Sequence, residues 1–173
     1  RPDAVREQAP DPAPQPGTSL ATLRHDPSTR IERDALMAIL QYPEEVGADL
    51  ARRALSAAFA DPSLAVIRDA AAVTLEYAGA PRWLEDIAGE LPEAFHGLLR
   101  ELAVAPIPAT EETVPRYVRG IVGVLVDREL LRRKRDALGA LQRLDRTSEP
   151  DRFAELQREL VDIDHQRAAM RTE

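Results

Sequence analysis

Toward its C-terminal end the chain places Phe153, Leu156, Leu160, Ile163, Arg167 and Met170 at successive spacings of 3, 4, 3, 4 and 3. That repeat keeps one face of an α-helix apolar for about five turns, and a helix with so narrow a seam must find another helix to cover it. The covering helix is near at hand. From about Glu111 to Asp145 no strong breaker follows Pro115, which stands early enough to be tolerated in a first turn, so one helix of roughly 50 Å is predicted there. The few residues around Thr147 allow only a tight reversal, so the last helix folds back on the second half of the long one as an antiparallel hairpin. Ser148 and Asp151 read as the capping box of its start.

The long helix changes character along its length. Between Val114 and Val126 the residues Tyr117, Val118, Ile121, Val122, Val124, Leu125 and Val126 nearly encircle the axis, as in a helix inside a bundle. Beyond Asp127 only Leu130, Leu131, Ala137, Leu138, Leu141 and Leu144 remain apolar, a seam wide enough for one partner helix and no more. Upstream, shorter helices follow one another. Thr29 with Glu32 fits a capping box ahead of Ile31, Ala35, Leu36, Ile39 and Leu40, and Pro43 ends that stripe. Pro43, Glu44 and Glu45 open a second helix through Val46, Leu50, Ala54 and Leu55, and Asp61 with Pro62 caps a third that Gly79 stops. Two more, from Pro81 and from Pro92, turn Trp83, Leu84, Ile87, Phe95, Leu98, Leu99 and Leu102 inward. The first stretch carries Pro2, Pro10, Pro12, Pro14, Pro16 and Pro27 with few large apolar residues, the composition of a tether. The expected organisation is therefore all-α: a tether over 1–28, a short-helix bundle over 29–126, and a hairpin arm over 127–173.

Composition narrows the function. Among 173 residues there is no cysteine, which removes disulfide frameworks, thiolate metal sites and cysteine nucleophiles and favours a reducing, cytoplasmic setting. Of the three histidines, His25 lies in the tether. His96 has no carboxylate or histidine at a useful i+4 position, and His165 follows Asp162 and Asp164 on an open arm, so all read as structural or exposed. No phosphate-binding loop, nucleophile elbow or metal-ligand spacing occurs, and no cofactor or catalytic residue is assigned. The net charge is −7, with 12 basic and 19 acidic groups in residues 1–126 but 11 of each in 127–173. The one basic run, Arg132, Arg133, Lys134 and Arg135, reads as a solvated helix surface paired with Glu129 and Asp136. Strong nucleic-acid binding is not expected, and a protein partner is. Nothing resembles a membrane span or a secretion signal, and the chain reads as a piece of something longer.

From about Thr29 to its end the sequence resembles the C-terminal helicase-binding domain of bacterial DnaG-type primases. The resemblance is carried by Glu32-Arg33-Asp34-Ala35-Leu36-Met37-Ala38-Ile39-Leu40-Gln41-Tyr42-Pro43-Glu44, by Phe59-Ala60-Asp61-Pro62, and by the closing helix pair Leu130 to Leu144 and Phe153 to Met170. It implies a non-catalytic domain that docks a primer-synthesising enzyme onto a hexameric replicative helicase of the DnaB type. Zinc and magnesium would belong to the preceding domains of that parent, not to this fragment. It further implies that the bundle modulates the helicase, resembles the helicase's own N-terminal domain, and can hold the acidic tail of single-stranded-DNA-binding protein. Arg33 and Leu36 occupy the matching positions for that tail, with Arg30 as helper. Helicase docking is expected on the arm, either at Arg143, Arg146 and Arg152 around the turn or at Gln166, Arg167, Met170 and Arg171 closing the last helix; arginine and methionine both suit protein interfaces. The competing readings are a nucleic-acid or single-strand-binding-protein contact module, a helical dimerisation adaptor and the N-terminal domain of a replicative helicase; the fragment itself is expected to be monomeric.

Overall fold

Aspartate and proline set the helix starts. In a computed structural model, which describes residues 18–170, α1 (Pro27–Gln41) begins with Pro27 directly after Asp26, whose carboxylate accepts the Thr29 N–H at 2.9 Å. The same grammar opens α4 (Pro62–Val73), where Asp61 accepts from the N–H groups of Ser63 and Leu64 at 2.9 and 3.1 Å. Between them lie α2 (Pro43–Val46) and α3 (Ala48–Leu55). The sequence reads these two as one helix; Gly47, at φ 81°, breaks it, a conformation that residues with a Cβ rarely adopt. The remaining elements are α5 (Trp83–Gly89), α6 (His96–Val104), α7 (Val114–Arg143) and α8 (Pro150–Met170), with no strand among the described residues.

Two caps differ from the sequence expectation. Because α1 starts at Pro27, Thr29 lies inside its first turn, and Glu32 is too far along the helix to reach back to the capping residue. Its carboxylate turns across the fold instead. Ser148 does not cap α8 either: its hydroxyl donates to the Asp145 carbonyl, in a turn where Asp145 also accepts the Thr147 N–H at 2.9 Å.

Helix α1 is the hub: it runs along α7, and α6, α2 and α4 close around it. Leu36, Ile39, Leu64, Ile67, Ile87, Leu98, Leu102, Val118 and Leu125 are fully enclosed. Leu84, expected inside, is 39% exposed, and Val124 is 49% exposed, so the first half of α7 has one open side. The described part of the expected tether is folded: Leu23 is buried in the core, and the Thr18 N–H donates to the Ala94 carbonyl at 3.0 Å. The rest of that tether lies outside the described residues.

Helix α7 has 30 residues, about 45 Å. Its start falls at Val114, after a turn in which the Thr110 N–H donates to Oγ1 of Thr113 at 2.9 Å. Its second half is covered by α8, and the seam contains Leu130 and Ala137 against Leu156 and Ile163, all buried. Leu131 and Leu138, read from the sequence as seam residues, point outward at 38% and 42% exposure. The core does not stop at Asp127. Leu130 and Ile163 belong to the same apolar cluster as the bundle, and Met170 packs against it, whereas Ala137 and Leu156 near the hairpin tip lie outside that cluster.

Candidate partner-binding surfaces

Ion pairs between its two helices close the hairpin on both flanks. On one flank Arg133 meets Glu159 at 3.0 Å, while Arg132 bridges Glu129 and Asp136 at 2.7 and 2.8 Å. Glu129 is held below the usual glutamate range: burial pushes its carboxyl upward, but hydrogen bonds from Arg132 and the Ala58 N–H outweigh it. This flank satisfies its own charges. Of the basic run, Arg132 pairs with Glu129 and Asp136 as expected, whereas Arg133 and Lys134 pair across the hairpin, with Glu159 and Asp164.

The other flank carries Lys134, which reaches Asp164 at 2.6 Å, and Arg167, which reaches Asp127 at 2.7 Å. Leu131 and Leu138 lie one turn to either side of Lys134, and Val124 lies seven residues before Leu131, so the three share a stripe. Val124, Leu131 and Leu138 are 49%, 38% and 42% exposed, an apolar stripe along one side of α7. Val161, 54% exposed, stands two residues before the buried Ile163 and so on the face of α8 turned away from α7. The apolar residues of the second half of α7 thus divide between two faces, Leu130 and Ala137 in the seam and Leu131 and Leu138 outside it.

The residues expected at the docking surface fall at opposite ends of the hairpin. Near the tip, Arg143 is exposed at the end of α7, Arg146 lies over the Phe153 ring at 5.3 Å, and Arg152 pairs with Glu155 at 2.9 Å. At the base, Gln166 is exposed, while Arg167 and Met170 turn inward. The Asp127 carboxylate raises the pKa of Arg167, chiefly through their hydrogen bond, and Arg53 Nη2 stands 3.3 Å from the Met170 sulfur. Arg167 thereby ties α8 to α7 at the base of the hairpin, and Met170 reaches the bundle at Arg53. Arg171 lies outside the described residues.

A cleft of about 330 Å³ opens beside α1, lined among others by Leu20, Arg33, Met37, Ile107 and Tyr117. Arg33 is engaged with Asp34 at 2.7 Å, and Arg30, one turn earlier, is exposed with no ion pair among the described residues. Tyr117 is held protonated above the usual tyrosine range, first by burial and then by the Asp34 charge. Leu36 is the correction here. It is 0% exposed, because it faces the core side of α1 and not the cleft side that Arg33 and Met37 share, so no ligand touches it.

No catalytic constellation accompanies these surfaces. His96 Nε2 lies 3.0 and 3.2 Å from the Ala88 and Leu91 carbonyls, finishing α5, and His25 and His165 are exposed. Among the described residues no group of three histidine, aspartate or glutamate side chains could hold a metal ion.

A family model described as DNA primase DnaG DnaB-binding matches residues 32–157. The DNA primase of Mycobacterium leprae is 27% identical over 149 residues, covering 84% of this chain and 23% of that protein. The DNA primase of Mycobacterium tuberculosis strain H37Rv is 26% identical over 172 residues, covering 96% and 27%. The chain thus spans about a quarter of the length of these relatives. A solved structure, the helicase binding domain of primase from Mycobacterium tuberculosis, superposes with a TM-score of 0.66 at 25% identity, covering 82% of this chain and 89% of that one.

Proposed function

Since the chain belongs to the DNA primase DnaG DnaB-binding family, we propose that it is the non-catalytic C-terminal module by which a primase docks on a hexameric replicative helicase of the DnaB type. Primer synthesis, with the zinc and magnesium it calls for, belongs to the remainder of the parent enzyme. The working place is the replication fork in the cytoplasm, and the isolated fragment is a monomer. The observation that carries the docking reading is the apolar stripe Val124, Leu131 and Leu138. A helical pair that closes its charges into ion pairs between and along its own helices, yet leaves three large aliphatic side chains in a row on one side of α7, is built to receive further helices.

The test uses this chain and its cognate helicase hexamer, with binding followed by light scattering and calorimetry. Leu131→Glu with Leu138→Glu is expected to weaken binding at least about tenfold, since each places a charge in the interface, while helical content stays unchanged because both residues are exposed. Arg146→Glu with Arg152→Glu tests the hairpin tip separately. If the leucine variant bound like the parent, the stripe would not be the docking face. A chain that doubled its mass alone would favour the dimerisation adaptor, and a steep loss of nucleic-acid affinity with salt would favour a nucleic-acid module.

A second contact is proposed at the cleft beside α1, for the acidic tail of single-stranded-DNA-binding protein. Apolar walls with Arg33 inside and Arg30 one turn away suit an acidic, partly apolar peptide, and Arg30 supplies the charge that Asp34 offsets at Arg33. Adding the tail peptide is expected to shift the amide resonances around Arg33 and Tyr117. Their standing still at saturating peptide would remove the second contact.

A further inference from the structure

One wall of that cleft comes from the segment entering the fold, and it is held differently from the others. The loop after α6 is locked to α1 by Gln41, whose side-chain amide donates to the Leu102 and Ala105 carbonyls at 2.8 and 2.9 Å. Tyr117 and Met37 are set by α7 and α1, whose mutual packing is the spine of the bundle. Leu20, by contrast, sits on a single 3₁₀ turn (Leu20–Thr22) outside the helices. Its N–H donates to the Glu101 carboxylate at 2.6 Å, the Thr18 N–H donates to the Ala94 carbonyl, and Leu23 is buried beyond it. Two hydrogen bonds and one buried leucine are a light attachment for a wall. The Leu20 side chain is half-buried, packed against the core and lining the same cleft as Arg33 and Ile107.

We infer that residues 18–23 are a clasp for the ligand of this cleft: Leu20 contacts it, Glu101 is the positioning residue that holds Leu20 in place, and ligand and clasp stabilise each other. The inference rests on the reading of the cleft as the site of the acidic tail peptide. Its physical content is reciprocity. If the docked clasp raises the affinity for the peptide, the peptide must strengthen the docking of the clasp by the same factor. The attachment of residues 18–23 to α6 is then coupled to what occupies the cleft.

The test uses the full chain and the tail peptide of the cognate single-stranded-DNA-binding protein, with affinity by calorimetry and amide hydrogen exchange by mass spectrometry. Leu20→Ala removes three carbons from a half-buried contact and is expected to weaken the peptide about tenfold. Glu101→Ala is expected to weaken it several-fold without touching a cleft residue, and Glu101→Gln to restore most of the loss, because an amide oxygen still accepts the Leu20 N–H. Exchange over residues 20–23 is expected to slow when peptide is added to the parent chain and not when it is added to Arg33→Glu. Undiminished affinity in Leu20→Ala and Glu101→Ala, with Arg33→Glu still abolishing binding, overturns the clasp and leaves the cleft reading standing. Binding indifferent to Arg33→Glu overturns the cleft reading and the clasp with it. Circular dichroism and the urea midpoint check each variant's fold, and Glu101→Gln keeps the comparison valid if Glu101→Ala loosens α6.

Discussion

Glu32 offers the sharpest test of how this fold is held. Its carboxylate is 0% exposed, yet it accepts the N–H groups of Ala60 and Asp61 at 2.8 and 3.1 Å and a guanidinium N–H of Arg128 at 2.6 Å. Arg128 in turn donates to the Ser28 carbonyl at 3.2 Å. One side chain of α1 thereby ties together the loop before α4, the cap residue of α4, and the middle of α7. Replacing it with alanine leaves two backbone N–H groups without their acceptor and Arg128, whose side chain is 27% exposed, without its counter-ion. Breaking a buried pair costs about 3–5 kcal/mol, and partial access of water to Arg128 moves the expectation to the lower half of that range. Glu32→Gln keeps one acceptor but turns an NH₂ group toward donors, for an expected loss of roughly 2–3 kcal/mol. Arg128→Gln leaves the carboxylate on its two backbone donors, with a smaller loss of about 1–2 kcal/mol. Urea unfolding at neutral pH measures all three, and amide exchange at Ala60 and Asp61 reports the local opening. A Glu32→Ala variant within about 1 kcal/mol of the parent, with slow exchange retained at both amides, would refute the pin.

Other expectations follow from the same geometry. Leu156→Ala should cost about 2–4 kcal/mol locally and speed amide exchange near the hairpin tip while leaving the bundle protected, because Leu156 lies outside the main cluster; Ile163→Ala should loosen both, because it lies within. Gly47→Ala should cost on the order of 1 kcal/mol in urea unfolding through its positive φ, although the space around it is open, and an unchanged midpoint would mean the α2–α3 break adjusts freely. Asp26 is held below the ordinary aspartate range, first by the Thr29 N–H, and Glu129 is below the glutamate range for the reasons given above. Since folding lowers these pKa values, their stabilisation is complete above the unfolded values and is lost as pH falls through the folded ones, so unfolding free energy should drop on acidification. Glu129→Gln should flatten that drop in urea titrations run across the acid range, and an unaltered slope would count against the assignment.

Much of this fold was legible before any tertiary contact. Asp26-Pro27 and Asp61-Pro62 fix helix starts because a carboxylate and a preset φ act within one turn, whereas the helix expected to run on to Gly79 ends already at Val73, with Thr74 as its cap. The seam of α8 was equally plain, since a heptad holds its face whatever covers it. Leu156 and Ile163 are buried, and Phe153 and Leu160 lie half-buried beside them. What periodicity leaves open is which of two adjacent apolar faces meets the partner. Leu130 and Leu131 are neighbours in sequence; the packing of α8 buried the first and turned the second outward, and the apolar stripe was created by that choice. Likewise Leu36 and Met37 differ by 100° around α1, and only the placement of α7 and the α6 loop decided which one borders a cleft. Glu32 is the extreme case. Local spacing made it a capping residue, but its bonds span 28, 29 and 96 positions, and no rule confined to neighbouring residues reaches that far. Sequence settled the helices and their order because hydrogen bonds within a turn and helical periodicity are local. The tertiary structure decided which faces were spent on the core and which were left for partners, because burial is shared among segments distant along the chain.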